Sequence, residues 1–149
     1  MSIKKTIKLI ILCCLFMGCS SIKKTAVNAS DPANLEGSWQ LNYISGPRIA
    51  FDGLYPNKKP IINFDIKQNI VSGNTSCNNF TGKLNADGNK INFTGPMAMT
   101  KMMCGDGNGE QVFLTTLQKV NKWSVTGNDT LNFMTNDVWV MRFTKVKGN

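Results

Sequence analysis

Residues Ser72–Leu84 read SGNTSCNNFTGKL, a run of small polar and amide side chains that carries one cysteine, Cys77, between Gly73 and Gly82. A single further cysteine, Cys104, follows it inside TKMMCGDGNG, Thr100–Gly109. The chemistry of this pair decides how the chain is read. A metal site or a redox centre would imply reactivity, whereas a disulfide implies only a staple.

The compartment bears on that choice. MSIKKTIK is a basic N-terminal region, and LIILCCLFM, Leu9–Met17, is an unbroken apolar run followed by Gly18 and Cys19, the outline of a secretory signal. Nine apolar residues fall short of the roughly 20 that cross a bilayer. LFMGC resembles a bacterial lipoprotein signal, in which the cysteine after the cut receives lipid and becomes the new N-terminus. Phe16 stands where leucine is commonest and Met17 is bulky for its place, so ordinary secretion with an unlipidated end is the second reading. The expectation is a signal peptide over 1–18, lipid on Cys19, a flexible tether over 19–34 and one domain over 35–149. A chain of 149 residues leaves room for a single domain.

Cleavage removes Lys4, Lys5 and Lys8 and no acidic residue. It lowers 17 basic side chains to 14 against 9 acidic ones, so the formal charge drops from +8 to +5. The tether, SSIKKTAVNASDPAN, is small, polar and without apolar periodicity. Fully extended, it reaches about 50 Å. Lys23 and Lys24 read as solvated linker lysines rather than as a headgroup-binding cluster.

Cysteine counting narrows the opening question. Cys13 and Cys14 leave with the signal and Cys19 takes lipid, so two thiols, Cys77 and Cys104, remain in an exported domain. Structural zinc wants about four Cys, His or carboxylate ligands, and this chain has no histidine. A thioredoxin-like centre wants Cys-x-x-Cys, and these cysteines stand 27 positions apart. A structural disulfide is the preferred reading, two reduced thiols the second, and a redox or metal role the last.

Without histidine, Ser-His-Asp and Cys-His nucleophilic catalysis is excluded, and acid-base work falls to carboxylates, lysines or tyrosines. No paired-carboxylate pattern stands out, since Asp52, Asp87, Asp106, Asp129 and Asp137 sit in turn-forming stretches. GDGNG, Gly105–Gly109, lacks the Lys and Ser/Thr of a phosphate loop and the carboxylate ladder of a calcium loop. Arg48 with Lys58 and Lys59 is too thin a basic patch for nucleic acid. Met97, Met99, Met102 and Met103 read as gap-fillers rather than as a copper site. No cofactor and no metal is implied.

The periodicity is mostly that of strands. GSWQLNYI places Trp39, Leu41 and Tyr43 in one phase, and PIINFDI does the same for Ile62, Phe64 and Ile66. QNIVSG turns back after Lys67. NFTGKLNADGNKINF puts two short strands around Asp87-Gly88, a hairpin signal. KWSV, DTLNFMT and DVWVMRFTK form a meander with turns at Gly127-Asn128 and Asn136-Asp137. GEQVFLTTLQKVNKW differs, with Phe113, Leu117 and Val120 at i, i+4 and i+7, Leu114 beside them and Glu110 in the first turn. That spacing predicts an amphipathic helix of about three turns, read as a cover for the open face of a sheet.

Taken in order, Trp39-x-Leu41 with Gly46, Pro60, Phe64, VSGNTSCNNFTG, MAMTKMMC and Glu110-x-x-Phe113-x-x-x-Leu117 resemble the META domain, the HslJ-like group of bacterial envelope proteins. The resemblance covers about Leu35 to Phe143. Its motif residues here are Trp39, Gly73, Asn78, Phe80, Gly82 and Thr100, with Cys77 and Cys104. Ser76 departs from a usual glycine and Met103 from a usual alanine, and GPRIAFDGLYPNKKP is a longer first connection. The implied fold is α+β, mainly β: a strongly curved antiparallel sheet or partial barrel with one packed α-helix. Gly73 and Gly82 then read as residues of tight turns or bulges, Asn78 as a partner of local backbone groups, and Phe64 and Phe80 as core.

The family is linked to heat-shock response and novobiocin tolerance, and no reaction is attached to it. With the lipoprotein-like signal, the tether and the lack of a catalytic constellation, the expectation is a lipid-anchored, non-catalytic protein of the cell envelope, on the outer membrane facing the periplasm. Its expected partners are the membrane, through the N-terminal lipid, and an envelope protein or lipid met during stress or assembly. No nucleic acid is expected, and the domain is read as a monomer. The alternative is an enzyme or small-molecule carrier that uses the concave face of the sheet.

Overall fold

The computed structural model describes residues 31–105 and 108–148. The signal segment, Cys19, most of the tether and Asp106 lie outside the described residues. Ten strands form one antiparallel sheet: β1 (Gly37–Ile44), β2 (Ile61–Asp65), β3 (Ile70–Asn74), β4 (Asn79–Lys83), β5 (Asn85–Asp87), β6 (Lys90–Asn92), β7 (Met97–Met99), β8 (Lys122–Thr126), β9 (Thr130–Thr135) and β10 (Val138–Lys145). Their spatial order is β5-β6-β8-β9-β10-β1-β2-β3-β4-β7.

This order forces the sheet to curl. Leu84 alone separates β4, next to last in the order, from β5, which is first. One residue spans only about 3.3 Å along a strand, so opposite flanks of the sheet are tied together through the chain. The result is a strongly curled half-barrel with, among the described residues, one helix of seven or more residues, Gly109–Leu117.

The turns follow from their residues. Asn136 and Asp137 both have positive φ, at 49° and 69°, and they join Thr135 to Val138 in the two-residue hairpin geometry whose twist suits right-handed strands. The β5–β6 hairpin pairs Asp87 with Lys90, so its turn is Gly88-Asn89, one position later than the sequence pattern places it, with Gly88 at φ +52°. Asn69, at φ 58°, turns β2 back into β3.

Alternation fills the interior. Ile62 and Phe64 point inward from β2, Val71 from β3, Leu131 and Phe133 from β9, and Met141 and Phe143 from β10. Phe133 is the hub, with ring centroids 5.1 Å from Phe143, 5.4 Å from Phe93 and 6.5 Å from Phe64. The helix closes the open side with Phe113 and Leu117, which are fully buried, and the Phe113 ring lies 6.2 Å from Phe80. It ends at Leu117, short of three turns, and Val120 completes the apolar stripe from the following turn, where its N–H donates to the Leu117 carbonyl at 3.2 Å.

The approach to β1 is ordered by a single buried indole. Asp31 caps a 3-10 turn at Pro32–Leu35 through the Ala33 N–H at 2.9 Å. Trp39 Nε1 then donates to the Leu35 carbonyl at 2.7 Å. The turn therefore seats the buried Leu35 against the core.

Candidate functional site

The fingerprint stretch forms a polar knot. The Asn74 side-chain oxygen accepts from the Ser76 N–H at 2.9 Å, and Ser76 takes φ 91°, a conformation for which glycine is better suited. The bend swings Cys77 toward the segment after β7, where it is disulfide-bonded to Cys104 with Cα atoms 5.9 Å apart. Cys77 is almost buried and Cys104 is exposed.

Asn78, 4% exposed, is the centre of the knot. Its Oδ1 accepts from the Thr100 hydroxyl at 2.8 Å and from the Met102 N–H at 2.7 Å. Its Nδ2 donates to the Met102 carbonyl at 3.2 Å and to Glu110 Oε2 at 3.1 Å. Thr75 Oγ1 lies 2.6 Å from Glu110 Oε1 and 3.1 Å from the Asn78 carbonyl, and its one proton goes to the shorter contact. Asn78 was expected to serve local backbone groups. Instead, its amide bridges segments that are remote in sequence, because β7 pairs with β4 and carries Thr100 and Met102 alongside it.

Gly73 and Gly82 lie within β3 and β4, not in turns or bulges as expected. A Cβ on Gly73 would overlap the Ile61 carbonyl oxygen and come 2.8 Å from Phe80 Cζ. Close approach of neighbouring atoms is what requires the glycine. Trp39 and Phe80 are core residues, at 0% and 3% exposure. The knot uses Thr100, Asn78 and both cysteines for structure. Among the described residues no group of three or more His, Cys, Asp or Glu side chains is placed to hold a metal.

A second site lies outside the fingerprint. The pairing of β1 with β10 slips between Leu41 and Tyr43, and that of β10 with β9 slips between Trp139 and Met141. A bulge inserts one residue and reverses which face the following side chains occupy. Tyr43, expected to point inward with Trp39 and Leu41, is therefore 43% exposed, and Ile44 takes the inward place. Trp139 and Val138 are turned outward at 61% and 65% exposure.

These bulges line up a transverse row. Asn132 on β9 pairs with Arg142 on β10, and Arg142 pairs with Tyr43 on β1. The Arg142 guanidinium lies over the Tyr43 ring at 5.6 Å, and its Nε donates at 3.1 Å to Oδ1 of the bulge residue Asn42. Asn42 Nδ2 is anchored in turn to Thr144 Oγ1 at 2.6 Å. Asp137, in the adjoining turn, pairs with Lys122 at 2.6 Å. Together Tyr43, Asn132, Asp137, Val138, Trp139 and Arg142 line a surface groove of about 450 Å³.

Periodicity does not reveal this groove, because a strict alternation assigns Tyr43 to the core. One sign is present in the sequence: Val138-Trp139-Val140-Met141 is a run of four apolar residues beside a two-residue turn, which a half-buried strand cannot place on one face.

A family model for the META domain matches residues 33–148. Among solved structures, a Burkholderia xenovorans protein determined by NMR is 19% identical, with 79% of this chain and 90% of that chain covered at a TM-score of 0.61. A DUF4847-family protein from Bacteroides vulgatus, solved by crystallography, is 15% identical, with 83% and 97% covered at a TM-score of 0.52. At such identities the likeness extends to the fold alone. No curated protein matches the chain.

Proposed function

The chain belongs to the META domain family, and from that premise we propose that it is a lipid-anchored, non-catalytic protein of the cell envelope that binds an envelope protein or lipid through the bulged face of its sheet. The observation that carries this reading is the Tyr43–Trp139–Arg142 groove, a concave surface that places Trp, Tyr and Arg, the residue types that dominate binding energy, outside the core. Trp139 stands 61% exposed beside Val138.

The interior supports a non-catalytic role. Trp39, Trp123, Phe133, Phe143 and Met141 fill it at 0% exposure, and no acidic residue is buried among the described residues. That arrangement counts against an enzyme or carrier using the concave face. The lipid on Cys19 and the outer-membrane location rest on the lipoprotein-like segment LFMGC.

Crosslinked pull-down of the full-length protein from intact cells tests the proposal, comparing wild type with Cys19→Ala and Trp139→Ala. Loss of membrane fractionation in the first, and loss of a captured partner in the second, is the expected pattern. Unchanged fractionation and capture in both variants would refute it.

A further inference from the structure

We propose that the groove on the bulged face binds an uncharged sugar ring, with Trp139 as the stacking platform and Asn132, Asp137 and Arg142 as the groups that read its hydroxyls. The proposal rests on the reading of this groove as the contact surface and names the chemistry that enters it.

The polar groups of the groove are of both kinds, and each keeps hydrogen-bonding capacity. Arg142 uses Nε on Asn42 at 3.1 Å, and its Nη groups have no hydrogen-bond partner among the described residues, leaving donors. Asp137 gives Oδ1 to Lys122 and keeps Oδ2 as an acceptor. Asn132 is only 3% exposed although it lies on the opposite face of β9 from the core residues Leu131 and Phe133. Its Nδ2 donates to Thr126 Oγ1 at 3.3 Å, and its Oδ1 accepts nothing among the described residues. That amide oxygen is an acceptor left open at the groove wall.

These features select among ligands. An anion attracted to Arg142 would meet the Asp137 carboxylate in the same groove, and a cation drawn to Asp137 would meet Arg142 and Lys122. A polyol has no such conflict, because each hydroxyl both donates and accepts. A pyranose also carries an apolar face of C–H groups, which the flat, exposed indole of Trp139 can cover. A volume of about 450 Å³ lies within the ordinary range for small-ligand sites, roughly 300–1,000 Å³. The site stands on paired strands locked by Asn42, so little ordering is needed before a ring docks.

Tryptophan emission is a direct reporter, because Trp39 and Trp123 are fully buried and Trp139 is 61% exposed. The lipid-free domain is titrated with neutral tetrasaccharides of glucose and of N-acetylglucosamine and read by fluorescence and saturation-transfer NMR. Vesicles of phosphatidylethanolamine and phosphatidylglycerol, which carry no sugar, serve as the comparison. The expected result is a saturable blue shift and NMR transfer with at least one sugar, with affinity reduced about tenfold or more in Trp139→Ala. Arg142→Gln weakens binding without removing the stacking contact.

Silence toward every sugar, an equal response in Trp139→Ala, or a response to vesicles alone overturns the proposal. If the sugars are silent while Trp139→Ala still strips a partner from the full-length protein in cells, the sugar ligand falls and the contact surface stands. If neither changes, both fall.

Discussion

Asn78 Nδ2 and Glu110 Oε2 meet at 3.1 Å although 32 residues separate them in the chain. This bond joins the β3–β4 connection to the first turn of the helix, and Thr75 completes the join on the other carboxyl oxygen. Truncating Glu110→Ala leaves the Asn78 amide and the Thr75 hydroxyl without that partner, at a cost of about 1 to 3 kcal/mol. Asn78→Ala removes the centre of the knot and costs as much or more. Urea unfolding midpoints measure both, and a midpoint unchanged in either variant would contradict the account of the knot.

The Cys77–Cys104 disulfide closes a loop with a sequence separation of 27. On the chain-entropy model, its loss destabilises the domain by about 3 to 4 kcal/mol. Cys77→Ala/Cys104→Ala should therefore lower the thermal midpoint markedly while leaving the strand content seen by circular dichroism intact. The wild type heated with a reductant should behave like the double variant.

Close approach at Gly73 and at Gly82 differs in what the new methyl group meets. At Gly73 it overlaps the Ile61 carbonyl oxygen, whereas at Gly82 it meets Met97 Cγ at 2.9 Å and the Pro96 carbonyl oxygen at the less severe 3.2 Å. Gly73→Ala is predicted to cost about 3 kcal/mol and Gly82→Ala about 1 kcal/mol. Chemical denaturation of the two variants checks the order as well as the size.

Tyr55 is 2% exposed and donates its hydroxyl to the Gly109 carbonyl at 3.0 Å, at the start of the helix. Burial raises its phenol well above the ordinary value of 10.0. The folded state thus holds a proton that the unfolded chain releases, so this contribution is intact below about pH 10 and is lost as pH rises above it. The loss approaches about 1.4 kcal/mol per pH unit. Comparing wild type with Tyr55→Phe by urea unfolding at about pH 8 and about pH 11 isolates it from the lysines. The variant should show the shallower alkaline decline.

Much of the fold is legible because its strands obey simple alternation. Ile62 and Phe64 on β2, and Leu131 and Phe133 on β9, face inward as a period of two requires. The helix reads from Phe113 and Leu117, and the I′-like turn from Asn136 and Asp137. The fingerprint marks the knot, but Thr100, Met102 and Glu110, which the Asn78 amide bonds, lie 22 to 32 residues away, and no local pattern encodes such pairings. The groove is hidden for a different reason. Two bulges shift the phase of β1 and β10, and a pattern read residue by residue has no place for an extra one, so Tyr43 is assigned to the core it does not enter.

The central claim is that the bulged face is where this protein meets the envelope. A photo-crosslinking side chain placed at Val138, 65% exposed beside Trp139, and separately at the exposed Lys67 between β2 and β3, tests it in intact cells. The account predicts a discrete adduct from position 138 that is absent from position 67 and disappears when Trp139→Ala is added. The same adducts from both positions, or no adduct from position 138, would contradict it.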